Sequence, residues 1–308
     1  MIVTVTLNPA LHVRYDADQL MLGAANRISR VGVRASGRGL AVARVLHRFG
    51  HDVVAAGLVG GSAGELIRNE LARAGVATRF TRIAAESRRV VQVCTASGEQ
   101  TSLCEPAPYI TTEELGRLAA DYRDLLDGAT AVVLCGSLPA GLPAEIYGSL
   151  ASYAADAGVP VILDAGGSAL RHGAARHPAL VIPDFEPGPG ASVALTPDGA
   201  GASSVVLPTG RGVRVLTAHG EWRAELGHDM AGPELPAGNA ISGSRDALVA
   251  GFVPGIALAW SWPDMLRHAV ALAASVPAGG EADLTAYEAL LPSVLVTAPP
   301  DVSPHHRG

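Results

Sequence analysis

The chain has 308 residues, of which 48% are hydrophobic, 4% aromatic and 17% charged, with a formal net charge of −6. The acidic excess argues against a broad nucleic-acid surface, and so few aromatic rings offer no base-stacking platform. Three cysteines, Cys94, Cys104 and Cys135, are too scattered for a metal knuckle, and their odd number suits buried thiols in a reducing compartment.

The chain opens directly on a strand, Val3 to Leu7, with no basic leader, so a soluble cytoplasmic protein is expected. Arg27 to Arg34 and Arg89 to Leu103 alternate polar and apolar residues, as strands exposed on one face do. A helix from Gly39 to Phe49 should close at Gly50, and one from Ala63 to Ala74 at Gly75, with the strand Val53 to Leu58 between them. Thr111-Thr-Glu-Glu114 is a capping box that opens a helix to about Leu126. The strand Ala131 to Cys135, a helix from Pro143 to Ala157 closing at Gly158, and the strand Val159 to Leu163 come next. Phe185 to Ser204, dominated by Gly, Pro, Ala and Ser, reads as a flexible loop. Beyond it lie the strands Val205 to Leu207 and Val213 to Thr217. Ala247 to Trp260 is apolar but is expected to be broken by Pro254 and is shorter than a bilayer span. Asp264 to Ser275 forms the last helix, and Ala298 to Gly308 reads as a disordered tail. Strands this rich in Val and Ile, alternating with helices, describe a mostly parallel sheet covered on both faces.

One segment carries a chemical signal. Asn239-Ala-Ile-Ser-Gly243-Ser244-Arg245-Asp246 runs into the apolar Ala-Leu-Val-Ala-Gly-Phe252, placing a small-residue turn and a carboxylate at a helix start. Unpaired backbone N–H groups and the helix dipole favour an anion there, and a phosphate would lie beside a proton acceptor. Phosphoryl transfer requires that pairing, although an Asp-capped turn opens many helices for structural reasons alone. Elsewhere, His47 and His51 stand four apart but are separated by the helix-ending Gly50, so no zinc pair is expected. Asp164 closes a strand and reads as structural.

Four further motifs appear in order: Thr4-Val-Thr-Leu-Asn-Pro9-Ala, Gly37-Arg38-Gly39-Leu-Ala41-Val-Ala-Arg44, Gly57-Leu-Val-Gly60-Gly61-Ser-Ala-Gly64-Glu65, and Cys135-Gly-Ser137-Leu-Pro139-Ala-Gly141-Leu-Pro143. With them the chain resembles the ribokinase-like (PfkB) carbohydrate kinases, nearest the 1-phosphofructokinase and tagatose-6-phosphate kinase branch. The resemblance runs over residues 1 to about 170 and 239 to about 275. It implies a three-layer α/β/α sandwich with a mostly parallel sheet, forming one domain over 1–297 before a tail at 298–308. A small β lid, from segments about 10–36 and 87–106, would cover the sugar site and could pair two subunits as a homodimer.

The implied activity is ATP-dependent phosphotransfer, with Mg²⁺, to a hydroxyl of a sugar phosphate or related polyol. Asp246 would be the base, with Gly243, Ser244 and Arg245 forming the anion hole. Arg27, Arg38, Arg88 and Ser137 would clamp the acceptor phosphate, while Gly37 and Gly39 let backbone amides approach it. Several working positions depart from the family. Its Gly-Ala-Gly-Asp is here Gly243-Ser244-Arg245-Asp246, and an Arg reaches positive φ less cheaply than Gly. Arg245 would then obstruct the site, hold phosphate itself, or pair with Asp246. The Asp that accepts sugar hydroxyls is His12, and the Asn after the Gly-Lys-Gly turn is Ala41. On the nucleotide side, Ile182-Pro183-Asp184-Phe185-Glu186-Pro187 replaces Lys-Pro-Asn-x-Glu-Glu, leaving Asp184 and Glu186 to touch Mg²⁺. Thr209, Gly210 and Gly212 occupy the nucleotide turn. These losses leave a second reading open, a catalytically silent member that binds an anionic metabolite or a protein partner.

Overall fold

The computed structural model describes residues 1–184, 204–227, 242–277 and 281–300. Its main sheet has ten strands: β1 (Ile2–Thr6), β4 (Val53–Gly60), β5 (Ala77–Ile83), β8 (Ala131–Cys135), β9 (Val161–Ala165), β10 (Leu180–Pro183), β11 (Ser204–Pro208), β12 (Gly212–Thr217), β13 (Gly220–Leu226) and β14 (Val294–Thr297). They lie in the order β14-β13-β12-β11-β10-β9-β8-β1-β4-β5. From β5 across to β11 every pairing is parallel, and from β11 to β14 every pairing is antiparallel. The strands β1, β4, β8 and β9 are buried along their whole length, as a parallel sheet covered on both faces requires.

Helices cover both faces. On one, α1 (Arg38–Arg48), α2 (Gly61–Arg73), α6 (Ser242–Ala257) and α7 (Trp262–Ala274) pack Leu40, Ile67, Phe252 and Leu266 against Val53, Val133 and Ile162. On the other, α3 (Thr112–Leu126), α4 (Ile146–Asp156) and α5 (Gly167–Ala174) pack Tyr122, Leu150 and Leu170 against Val3, Val5 and Leu134. The architecture is therefore the expected three-layer α/β/α sandwich. Among the described residues no helix is long and apolar enough to cross a membrane.

Local signals explain much of this. The capping box forms: Thr111 Oγ1 accepts from Glu114 N at 3.3 Å, and the Glu114 carboxylate accepts from Thr111 N at 2.8 Å. Gly50, Gly75 and Gly158 end their helices at φ of 80°, 77° and 69°, the left-handed conformation that a residue with Cβ adopts at a cost. Other expectations need correction. The fourth helix starts at Ile146 rather than Pro143, and α6 continues through Pro254 as one helix. Cys104 is exposed, while Cys94 and Cys135 are buried as expected. The elements β5, β10, β13, β14, α5 and α8 (Leu284–Leu290) were absent from the periodicity reading because they are short or mix polar and apolar residues. Residues 185–203 and 301–308, read above as loop and tail, lie outside the described residues.

A second sheet has the order β3 (Arg30–Ser36), β2 (Ala10–Ala17), β6 (Arg89–Thr95), β7 (Gln100–Cys104). The two alternating segments supply β3, β6 and β7, while β2 comes from the stretch before them and is not among the strands read from alternation. Its register sets Leu11, Val13 and Tyr15 beside Ala35, Val33 and Val31, and Val13 beside Val91, giving one apolar face. Leu11 and Ala35, next to the body, are buried; Val31, Val33 and Leu103 are 57%, 51% and 60% exposed.

Candidate active site

The charged residues converge at the carboxyl ends of β8, β9 and β10, where the first turns of α1 and α6 meet the sheet. Ligand sites of α/β sheets collect at this edge because strand ends and helix starts leave backbone groups free. Asp164, next to last in β9, is completely buried. Its Oδ1 accepts from Arg38 Nη1 at 3.2 Å and from Arg245 Nε and Nη2 at 3.2 and 2.6 Å. Its Oδ2 has no partner. Arg245 Nη2 also donates to the carbonyls of Ile182 and Pro183 at 3.1 and 2.7 Å, and Arg38 Nη2 pairs with Asp184 Oδ2 at 2.6 Å.

Asp246 stands beside this cluster in the first turns of α6, only 8% exposed. Burial, and next the charge of Asp164, push its carboxyl well above the usual carboxylate range; Arg38, Arg245 and Arg34 pull the other way. A carboxylate of raised basicity is what proton acceptance near neutral pH needs. The neighbouring thiol of Cys135, paired in register with Asp164, is pushed up by burial and then by Asp164 and Asp246, so it stays neutral.

Arg245 does not behave as the turn pattern suggested. It lies in regular helix, and among the described residues only His177 and Ala259 are non-glycine residues with positive φ, so the strain argument does not apply. It pairs with Asp164 and not with Asp246. Ser244 donates its hydroxyl to Ala273 O at 3.1 Å, fastening α6 to α7 and leaving only its backbone N–H for an anion. Gly243 falls in the same first turn.

The glycines flanking Arg38 have a packing reason. A Cβ on Gly37 would lie 2.8 Å from Thr6 Cγ2, and one on Gly39 would lie 2.5 Å from Thr6 Oγ1 and 3.2 Å from Val5 O. Only glycine lets α1 start this close to β1, and that approach delivers Arg38 to Asp164.

The other sequence candidates are partly brought together. Asn8 Nδ2 donates to Ser137 Oγ at 3.1 Å, and Leu11 N donates to Arg88 O at 2.9 Å, so Ser137 and Arg88 flank the segment that carries His12. Arg88 Nε and Asn8 Oδ1 are buried without partners. His12 lies between Arg34 and Val90, where burial and then Arg14 and Arg34 lower its pKa and favour the neutral imidazole. Arg27 is exposed between β2 and β3, and no hydrogen bond or ion pair among the described residues joins it to Arg88 or Ser137. Thr209, Gly210 and Gly212 form the tight connection of β11 to β12, closed by Thr209 N donating to Gly212 O at 2.8 Å. A Cβ on Gly212 would fall 1.9 Å from Ala224 O, so that glycine is required by sheet packing. Glu186 lies outside the described residues.

Sequence reading missed the hub. Asp164, expected to be structural, organises both arginines; the available signal is an acidic residue at the carboxyl end of an otherwise apolar parallel strand.

Comparisons with known proteins bear on the family and the fold. Residues 10–186, more than half the chain, match the model described as pfkB family carbohydrate kinase. A Thermotoga maritima protein described as a possible 1-phosphofructokinase is 23% identical, with a TM-score of 0.81 over 96% of this chain and 98% of that one. Phosphofructokinase-2 of Escherichia coli, solved in complex with fructose-6-phosphate, is 23% identical, with a TM-score of 0.80 over 94% of this chain and 98% of that one. At such identities these likenesses establish the fold.

Proposed function

The chain belongs to the pfkB family of carbohydrate kinases, and we propose that it transfers the γ-phosphoryl group of ATP to a hydroxyl of a sugar phosphate or related polyol. The observation that carries this reading is Asp246: a buried carboxylate of raised basicity at the start of α6, beside two arginines. In the proposed reaction the acceptor hydroxyl gives its proton to Asp246 as its oxygen bonds to the γ-phosphorus and the bond to the ADP oxygen breaks. Backbone N–H groups of Gly243, Ser244 and Arg245, with the dipole of α6 behind them, meet the negative charge of the transferring group. Arg38 adds a guanidinium at the same edge. Arg27, Arg88 and Ser137 are the proposed clamp for the acceptor phosphate, and the buried, unpartnered Nε of Arg88 supports its part in it.

ATP and Mg²⁺ belong to this reading. Among the described residues no three His, Cys, Asp or Glu side chains converge to hold a metal ion, and Asp184 Oδ2 is occupied by Arg38. The ion would thus be held chiefly by the nucleotide's phosphates, with Asp184 and Glu186 as the proposed protein ligands and Thr209, Gly210 and Gly212 beside the nucleotide. The exposed apolar face of the lid, with Val31, Val33 and Leu103, supports pairing with a second copy of the chain. Free thiols and a phosphorylated substrate fit a cytoplasmic location.

Calorimetric titration with ATP and Mg²⁺, followed by a screen of hexose phosphates for ADP release, tests the proposal. Nucleotide binding with turnover is the expected result; absence of both would sink it. His12 and Ala41 also make fructose 1-phosphate and tagatose 6-phosphate poor acceptors. Each lost hydroxyl partner costs about 1–3 kcal/mol of discrimination, and efficient turnover of either sugar would contradict this part.

A further inference from the structure

Arg245 stands where the family motif has a glycine, and its side chain is engaged through Nε and Nη2. Nη2 alone donates to Asp164 Oδ1 and to the carbonyls of Ile182 and Pro183, tying the first turn of α6 to the ends of β9 and β10. The acceptor of that tie is a carboxylate with no exposed surface, whose Oδ1 also holds Arg38 from α1. Asp246 is the next residue after Arg245, so whatever fixes the guanidinium fixes the backbone that carries the carboxyl.

We propose that Asp164 and Arg245 form a positioning pair that locks the first turn of α6 and sets the charge around the Asp246 carboxyl. This rests on reading Asp246 as the base. The groups facing Asp246 are Asp164 from β9, Arg38 from α1, Arg245 from α6, Arg34 from β3 and the neutral Cys135 from β8; Asp184 reaches the cluster through Arg38. Asp164 opposes ionisation of Asp246 and the arginines favour it. With the pair intact these influences partly cancel next to the carboxyl. Removing one member leaves the other unbalanced. Loss of Asp164 makes Asp246 more acidic, and loss of Arg245 makes it more basic. A bolt serving stability alone would weaken the fold in both cases without opposite effects on Asp246.

The test is a carboxyl-carbon NMR titration of the ¹³C-labelled full chain, with Asp246→Asn identifying the resonance. The Asp246 midpoint should fall by about half a pH unit or more in Asp164→Asn, rise by about as much in Arg245→Met, and return close to its original value in Arg245→Lys. Midpoints that stay in place, or that move in the same direction in both variants, overturn the pair. Should Asp164→Asn fail to fold, Arg245→Met against Arg245→Lys still decides: a rise restored by lysine supports the pair, and no rise overturns it. The readout needs no turnover. Opposite shifts in a protein that does not release ADP uphold the pair and remove the kinase reading, whereas turnover with an unmoved midpoint does the reverse.

Discussion

Asp164 and Glu221 each hold two arginines, in very different degrees of contact with solvent. Asp164 binds Arg38 and Arg245 inside the parallel part of the sheet with no exposure of its own. Glu221 binds Arg214 and Arg223 on the β12–β13 hairpin, where the three side chains are 26%, 43% and 60% exposed. The donors are the same and the acceptors differ: Arg214 Nε and Nη2 reach the two oxygens of Glu221 at 2.9 and 2.7 Å, whereas Arg245 Nε and Nη2 both reach Oδ1 of Asp164. Water makes the difference. On the hairpin, solvent screens the charges and each partner can rehydrate if the other is lost. At the hub the Asp164 carboxylate has no exposed surface to rehydrate, so a lost partner is costlier there, and the field of the cluster on Asp246 is less screened. A site that has to tune a proton acceptor belongs in the second setting.

The sharpest way to break this contrast is to remove each carboxylate. Asp164→Leu leaves Arg245 buried without its ionic partner and should cost about 3–5 kcal/mol of unfolding free energy in urea titration. A loss no larger than that of the hairpin variant would show that burial does not separate the two. Next in size, Asp246→Asn should leave nucleotide binding nearly intact and cut turnover by about 100-fold or more in an ADP-release assay. The same variant has a pH signature. Because folding raises the Asp246 pKa, its contribution to stability is complete below the ordinary carboxylate range and is lost as pH rises through the raised value. Asp246→Asn should therefore melt higher than the parent by roughly 2 °C or more at alkaline pH, with the gain fading in acid.

A smaller effect tests how the hub is assembled. Gly39→Ala places a methyl 2.5 Å from Thr6 Oγ1, forcing α1 off β1 and drawing Arg38 away from Asp164. About 1–3 kcal/mol of stability should be lost, together with activity, whereas alanine at the open Gly210 should be well tolerated in stability. Smallest of all is Glu221→Gln, expected to cost no more than about 1 kcal/mol because the side chains of both its arginine partners, 43% and 60% exposed, reach water. Here folding lowers the pKa, to about 2, with Arg214 as the main cause. The contribution of Glu221 is thus present above the ordinary glutamate range and lost as pH falls toward 2, so the variant and the parent should converge in stability in acid.

Much of the fold was legible because its signals are local. The strands around β1 announced themselves as Val and Ile runs, and Gly50, Gly75 and Gly158 end helices because their φ values are ones that other residues avoid. The capping box at Thr111 is complete within four residues. Three strands of the second sheet, β3, β6 and β7, lie in segments visible as alternation, whereas β2 was marked only by the family resemblance. By contrast β5 and β13 carry arginine and glutamate among their apolar residues, and neither shows a periodicity that settles its state without the neighbouring strand.

The site was legible only in part. Asp246, Arg38 and the glycines stand in recognisable local patterns, but the partner of Arg245 lies 81 positions away, and nothing in the turn points to it. Local spacing left three roles for that arginine, none of them a pair with Asp164. The sequence by itself determined the class of fold, the helix boundaries set by caps, and the carboxylate at the start of α6, because each depends on neighbours within a few residues. The tertiary structure alone decided which charges meet. Ion pairing at the hub depends on β9 and β10 lying side by side and on Gly37 and Gly39 letting α1 approach β1, and burial, the property that makes Asp246 basic, exists only once the layers have closed over it.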